Sequence, residues 1–114
     1  MHEYRTNTCS EIRLEHVGQK VKLAGWVEVV RDLGGVVFID LRDQYGITQV
    51  VISGNEELVE MASRIPNEST ISVLGTVRKR DEETINKNIE TGEVELFAEE
   101  ITILGKRLKK LPFE

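Results

Sequence analysis

Residues 25–51 read GWVEVVRDLGGVVFIDLRDQYGITQVV, and the alternation within them decides the fold. Successive side chains of a strand point to opposite faces. From Val36 to Arg42, therefore, Val37, Ile39 and Leu41 share one face while Val36, Phe38, Asp40 and Arg42 share the other. The first set is a core face. The second places a large ring among charged neighbours, where burial alone gives it little reason to stand. Asp43-Gln44-Tyr45-Gly46 reads as a four-residue turn, with Gly46 available for a positive φ. That turn pairs Arg42 with Ile47, Asp40 with Gln49 and Phe38 with Val51, so Gln49 lies diagonally beside Phe38 on the polar face. Upstream, Asp32-Leu33-Gly34-Gly35 reads as a second four-residue turn, which sets Arg31 opposite Val36 and Val29 opposite Phe38.

The face so assembled carries a flat ring, an amide and a guanidinium. An unstacked nucleobase finds there a surface to stack on, a donor and acceptor for its edge, and a cation for a phosphate or carbonyl. Packing is the competing reading. An isolated Phe on a strand is most often core, and a one-residue bulge near Gly34-Gly35 would alter the first pairing. Periodicity leaves both open.

Outward from this stretch, residues 20–31 form the first strand, with Val21, Leu23, Val27 and Val29 at spacing two. Its interior Gly25 marks the bend by which a small barrel lets one strand serve two neighbours. Before it, Ile12, Leu14 and Val17 suggest a polar lead-in with one helical turn, ended by Gly18. After the third strand (residues 46–52), Ser53-Gly54-Asn55 is a breaker and cap. Leu58, Val59, Met61, Ala62 and Ile65 follow at helical spacing until Pro66, which predicts a helix of three turns. Residues 70–80 resume the alternation, with Ile71, Val73 and Val77 inward and Arg78 and Arg80 outward. Residues 81–92 are polar and read as loop. Residues 93–104 form the last strand, with a bulge where Ala98-Glu99-Glu100 breaks parity. Three strands, a helix and two strands is the order of an all-β, five-stranded Greek-key OB-fold barrel, whose second and third strands commonly bind oligonucleotides. The domain is expected to span residues 1–105, with 106–114 starting a linker in which Pro112 cannot continue a strand.

Composition narrows the function. The 114 residues form one domain, 39% hydrophobic and 31% charged. No apolar run suits a membrane helix, and there is no signal-peptide pattern. Cys9 is the only cysteine, and His2 and His16 are the only histidines, which excludes an internal disulfide and argues against a metal cluster. A reducing cytoplasm is the natural compartment. The formal charge of −5 argues against a protein that grips nucleic acid by bulk electrostatics, so any RNA site is local, although fifteen Lys and Arg leave room for a basic stripe on one face. A nucleophilic triad is not spelled out, and Gly34-Gly35 and Gly54 lack the strand-to-helix setting of a phosphate cradle.

Gly25-Trp26-Val27, Arg31-Asp32-Leu33-Gly34-Gly35, Phe38-Ile39-Asp40-Leu41-Arg42-Asp43 and Gly46-Ile47-Thr48-Gln49-Val50 closely resemble the N-terminal anticodon-binding domain of bacterial-type aspartyl-tRNA synthetases. Tyr4-Arg5-Thr6 with Cys9, Gly75-Thr76-Val77-Arg78-Lys79-Arg80, Thr91-Gly92-Glu93-Val94-Glu95 and Leu111-Pro112-Phe113 extend the resemblance in the same order along nearly the whole chain. It implies a module that binds the anticodon loop of tRNA(Asp). The middle base would stack on Phe38 and bond Gln49 and Arg31. Glu95 would accept from the first anticodon base, and Arg78 and Arg80 would hold the loop backbone or its last base. It implies no cofactor for the module itself, and a parent enzyme that uses ATP and Mg and forms a homodimer. The three motifs of the aminoacylation site are missing, so no catalysis is expected of this chain.

The chain departs from that family where Val29 and Val30 stand in place of two arginines usual before the Arg31-Asp32 pair, and in the segment Pro66-Asn67-Glu68-Ser69-Thr70. Each lost cation removes about one phosphate contact. The departures keep two other functions in play. One is a repurposed OB-fold that binds a protein through an apolar patch of Val29 and Phe38. The other is a general single-strand binder, which ranks last at 5% aromatics.

Overall fold

The alternating runs become five strands, and each buries the residues that its pattern sets inward. The structure, a computed structural model, describes residues 5–105, so Tyr4 and the expected linker at 106–114 lie outside the described residues. The strands are β1 (Lys20–Asp32), β2 (Val36–Arg42), β3 (Ile47–Ser53), β4 (Thr70–Lys79) and β5 (Val94–Gly105), with one helix, α1 (Glu56–Ser63), between β3 and β4. They close a barrel in the order β1-β2-β3-β5-β4, with β4 returning to β1. All pairings are antiparallel except β3 with β5, where Val50 and Val51 lie beside Leu96 and Phe97. This is the all-β OB-fold barrel expected from the element order.

β1 serves two neighbours, as its interior glycine suggests. Residues 20–26 pair with β4 and residues 26–32 with β2, the change falling at Trp26 beside Gly25. Val21, Leu23, Val27, Val37, Ile39, Leu41, Val50, Ile52, Ile71, Val73, Val77, Val94 and Leu96 fill the barrel. Cys9 and Ile12 from the lead-in complete the core. Their burial raises no polar problem, because Thr48 Oγ1 donates to the Cys9 carbonyl at 2.6 Å and the Cys9 amide donates to Asp43 at 2.8 Å.

Four local expectations change. Gly34 and Gly35 both take positive φ (+72° and +90°), and the Leu33 amide donates to Val36 at 2.9 Å. The connection is thus a two-residue hairpin turn, which matches strand twist and needs positive φ at both positions. The pairing slides by two residues. Arg31 faces Phe38 rather than Val36, and Val29 faces Asp40 rather than Phe38. Because the slip is even, Arg31 and Val29 keep the face on which pairing with Val36 and Phe38 would have put them. The bulge lies at Glu28, where the register shifts between Val27 and Val29. It turns Val29 out of the core series, and Val30 packs against the core instead. Gly46 has no positive φ; a side chain there would run into Ser10, with a Cβ 2.7 Å from the Ser10 Cβ.

Helix α1 is about two turns rather than three. Asn55 caps it, accepting from the Leu58 amide at 3.1 Å, and Glu56 and Glu57 occupy the first turn, where the helix dipole favours negative charge. It ends before Ile65 because the residue preceding Pro66 is disfavoured in helical geometry. Ala62 and Ile65 are buried, and Leu58, Val59 and Met61 pack against the core. In β5 the expected bulge is present: Glu100 faces Leu74, Ala98 faces Gly75, and Glu99 is left over between them.

Candidate nucleic-acid interface

On the outer face of β2 and β3, beside the start of β5, lies a groove of about 500 Å³. Phe38 and Val36 from β2, Gln49, Val51 and Ser53 from β3, Arg78 and Lys79 from β4, and Glu95 from β5 line it, with Asp81 and Thr84 closing one side. The β2–β3 register is the expected one, Phe38 opposite Val51 and Asp40 opposite Gln49. Phe38 is half-buried, as are Asp40 and Gln49. A ring held this way keeps an accessible surface while its rim is fixed by the sheet.

Four of the predicted residues, Phe38, Gln49, Arg78 and Glu95, line one groove, and three of them are hydrogen-bonded in series. Gln49 Nε2 donates to Glu95 Oε1 at 3.1 Å, and Arg78 donates to Glu95 Oε2 at 2.9 Å. The parallel contact of β3 with β5 brings Gln49 and Glu95 together. The antiparallel contact of β4 with β5 sets Arg78 directly opposite Glu95. Arg78 also stands over the Phe97 ring, its guanidinium carbon 4.4 Å from the centroid, a cation–π contact that holds it above the sheet. Since one donor hydrogen of Gln49 is taken by Glu95, its carbonyl and second hydrogen remain for a base edge.

Arg31 and Asp40 form a two-pronged pair, NH1 to Oδ2 at 3.2 Å and NH2 to Oδ1 at 2.9 Å, because the slipped register puts Arg31 diagonal to Asp40. Val29 lies on the same face, one pair further from Phe38 than expected. Arg42 is likewise paired, with Glu28 at 3.2 Å. Three arginines of this face, Arg31, Arg42 and Arg78, are therefore matched by carboxylates of the same sheet, within a chain of charge −5.

Arg80 is a correction. Strand alternation sets it outward with Arg78, yet it is only 6% exposed. β4 has ended at Lys79, so the alternation no longer applies, and the side chain tucks beneath the connection to β5. Nε donates to the Val94 carbonyl at 3.1 Å and NH1 to the Thr84 carbonyl at 2.9 Å. Burial pushes its pKa down, with Glu95 and Asp40 pulling it back up. Arg80 thus supports the groove from below instead of facing into it. Its grip on Thr84 also explains two groove residues that the sequence did not announce, Asp81 and Thr84. The short 3-10 turn Glu82–Thr84 carries Thr84, within a stretch whose polar composition reads as plain loop.

Among the described residues there is no group of three metal-ligating side chains and no helix long and apolar enough to cross a membrane.

A family described as an OB-fold nucleic acid binding domain matches residues 21–104 of the chain. The chain belongs to this anticodon-binding OB-fold family. It is similar to the aspartate–tRNA(Asp/Asn) ligases of Thermotoga neapolitana, 55% identical over 109 residues, and Agrobacterium fabrum, 51% identical over 112. These matches cover 96% and 98% of the chain but 19% of either relative, so the chain spans about a fifth of their length. Among solved structures, it resembles an asparaginyl-tRNA synthetase from Pyrococcus horikoshii at a TM-score of 0.75 and 30% identity, with 94% of this chain and 24% of that one covered. It also resembles an OBody bound to hen egg-white lysozyme at 0.79 and 25%, with 94% and 99% covered. The family named from the sequence motifs stands, and the matched region is its anticodon-binding OB domain.

Proposed function

We propose that the groove over Phe38 receives the anticodon loop of tRNA(Asp), with the middle base stacked on Phe38. The observation that carries this reading is the accessible ring of Phe38 set within the same groove as Gln49, Glu95 and Arg78. Gln49 offers the base edge its free carbonyl and one N–H. Glu95, held by Gln49 and Arg78, accepts from the donor edge of the first anticodon base. Arg78, with its side chain 46% exposed, reaches the backbone. Arg31 reaches the RNA only by loosening from Asp40, so affinity from phosphate contacts is modest. Arg80 acts through the groove wall and touches no RNA.

In a parent protein of the relatives' length, the domain selects the tRNA, while a separate unit using ATP and Mg joins aspartate to it. That parent is a cytoplasmic homodimer serving tRNA(Asp), with tRNA(Asn) as the second substrate that the relatives' names carry. The deciding experiment titrates this chain with a fluorescent stem-loop carrying GUC and with a scrambled loop. Preference for GUC supports the reading, and equal affinities refute it. The resemblance to OBodies bound to lysozyme favours a second reading, a protein-binding OB face centred on Val29 and Phe38, which would survive failure of both RNA titrations.

A further inference from the structure

Four charged side chains line the groove over Phe38: Arg78, Lys79, Asp81 and Glu95. Two of them answer each other, Arg78 and Glu95 at 2.9 Å. The arginines of the neighbouring strands are answered as well, Arg31 by Asp40 at 2.9 Å and Arg42 by Glu28 at 3.2 Å. Lys79 is different. It is exposed, and among the described residues its ammonium makes no ion pair and no hydrogen bond, with Asp81 or with any other group. A free charge on a loose tail would signify little, but the backbone of Lys79 is firmly placed. It is the last residue of β4 and pairs with Val94. The next residue, Arg80, is anchored three times over, its amide donating to the Glu93 carbonyl at 2.9 Å and its guanidinium to the carbonyls of Val94 and Thr84. Only the flexible stem of Lys79 is left to follow a ligand.

We propose that Lys79 is a phosphate contact of the groove, meeting the RNA backbone beside the base that stacks on Phe38. This rests on the reading that the groove receives the anticodon loop. The argument lies in what each cation gives up. A phosphate that recruits Arg31 must displace Asp40, and Arg78 meets the backbone while still bonded to Glu95, so it positions the loop more than it neutralises it. At Lys79 a phosphate displaces only water and releases the counterions condensed on the RNA, which is the favourable term in such binding. Asp81 repels an anion and so confines the phosphate to the Lys79 side of the groove.

The test measures fluorescence anisotropy over a salt series with the GUC stem-loop and the scrambled loop, for the native chain, Lys79→Gln, Lys79→Arg and Asp81→Asn. Lys79→Gln is expected to flatten the slope of log K against log salt by about 0.7, so that binding weakens roughly fivefold more at 0.1 M than at 1 M salt. The factor should be the same for both loops, because a phosphate contact carries no sequence information. Lys79→Arg restores the slope, and Asp81→Asn tightens binding without flattening it. An unchanged slope in folded Lys79→Gln would overturn the proposal. So would a loss confined to the GUC loop, which makes Lys79 a base contact, or a Lys79→Arg variant as flat as Lys79→Gln. A thermal melt checks the fold, and should Lys79→Gln melt out, Lys79→Met, which keeps the apolar stem, decides instead. The anticodon reading fails by a different result: equal affinities of the native chain for the two loops refute it while the slopes of the variants still report on Lys79, and no binding of either loop refutes both.

Discussion

Replacing Asp40 by Asn (Asp40→Asn) tests whether the carboxylates of the sheet hold the cations of the proposed anticodon site in check. In the free domain both oxygens of Asp40 are engaged by Arg31, at 2.9 and 3.2 Å. Any phosphate that recruits Arg31 must displace that carboxylate. The substitution is nearly isosteric and frees one guanidinium. One added phosphate contact on a single strand steepens the slope of log K against log salt by about 0.7, which at about 0.1 M salt corresponds to roughly fivefold tighter binding than the same contact gives at 1 M. The stability cost is small, because the two side chains are 42% and 24% exposed, and such pairs contribute about 0.2–1 kcal/mol. A domain of this size then melts only a few degrees lower, at roughly 4–8 °C per kcal/mol. The assay is fluorescence anisotropy with the GUC stem-loop over a salt series, beside a thermal melt. An unchanged slope in a folded variant would refute the reasoning, since it would show that Arg31 stays off the RNA even when released.

Four further outcomes are expected. Phe38→Ala leaves a folded domain but weakens binding of the GUC loop by about 1–3 kcal/mol, the worth of one base stacked on an aromatic ring, whereas a collapse of the melting temperature with unchanged affinity would show that the ring is core. Gln49→Ala flattens discrimination at the middle anticodon base more than it lowers overall affinity, as titration with the four loop variants at that position will show; uniform losses would remove Gln49 from the base edge. Arg80→Met leaves the Thr84 and Val94 carbonyls without their donor, so it lowers the melting temperature and weakens RNA binding without reducing the salt slope; a slope lower by about one phosphate equivalent would put Arg80 on the backbone after all. Glu99 is held below the usual carboxylate range, first by the Thr76 hydroxyl at 2.9 Å and then by Lys20. A carboxylate depressed in the fold stabilises above its unfolded pKa and loses that contribution as pH falls. The melting-temperature gap between the native chain and Glu99→Gln should therefore close on acidification, and a gap that widens would contradict the assignment.

Alternation determined most of this protein. Val37, Ile39 and Leu41 go inward and Phe38 and Asp40 outward whatever the barrel looks like, because the strand period is two. The β2–β3 register followed from Asp43 to Gly46 alone, since a short turn leaves few ways to pair its flanks. What the sequence left undecided depended on partners distant in the chain. Gly34-Gly35 permits more than one hairpin, and the two-residue turn closed by the Leu33–Val36 hydrogen bond selects the pairing that brings Arg31 opposite Phe38. Gln49 and Glu95 are 46 residues apart, and only barrel closure through the parallel β3–β5 contact joins them. Arg80 carries the same local signal as Arg78, two positions away on the same apparent face. It is buried because β4 stops at Lys79 and the connection to β5 folds over it, where carbonyls of Thr84 and Val94 replace the water that its guanidinium would otherwise need. Periodicity assigns a face for as long as the strand lasts, and where the strand ends and what crosses it are properties of the closed barrel.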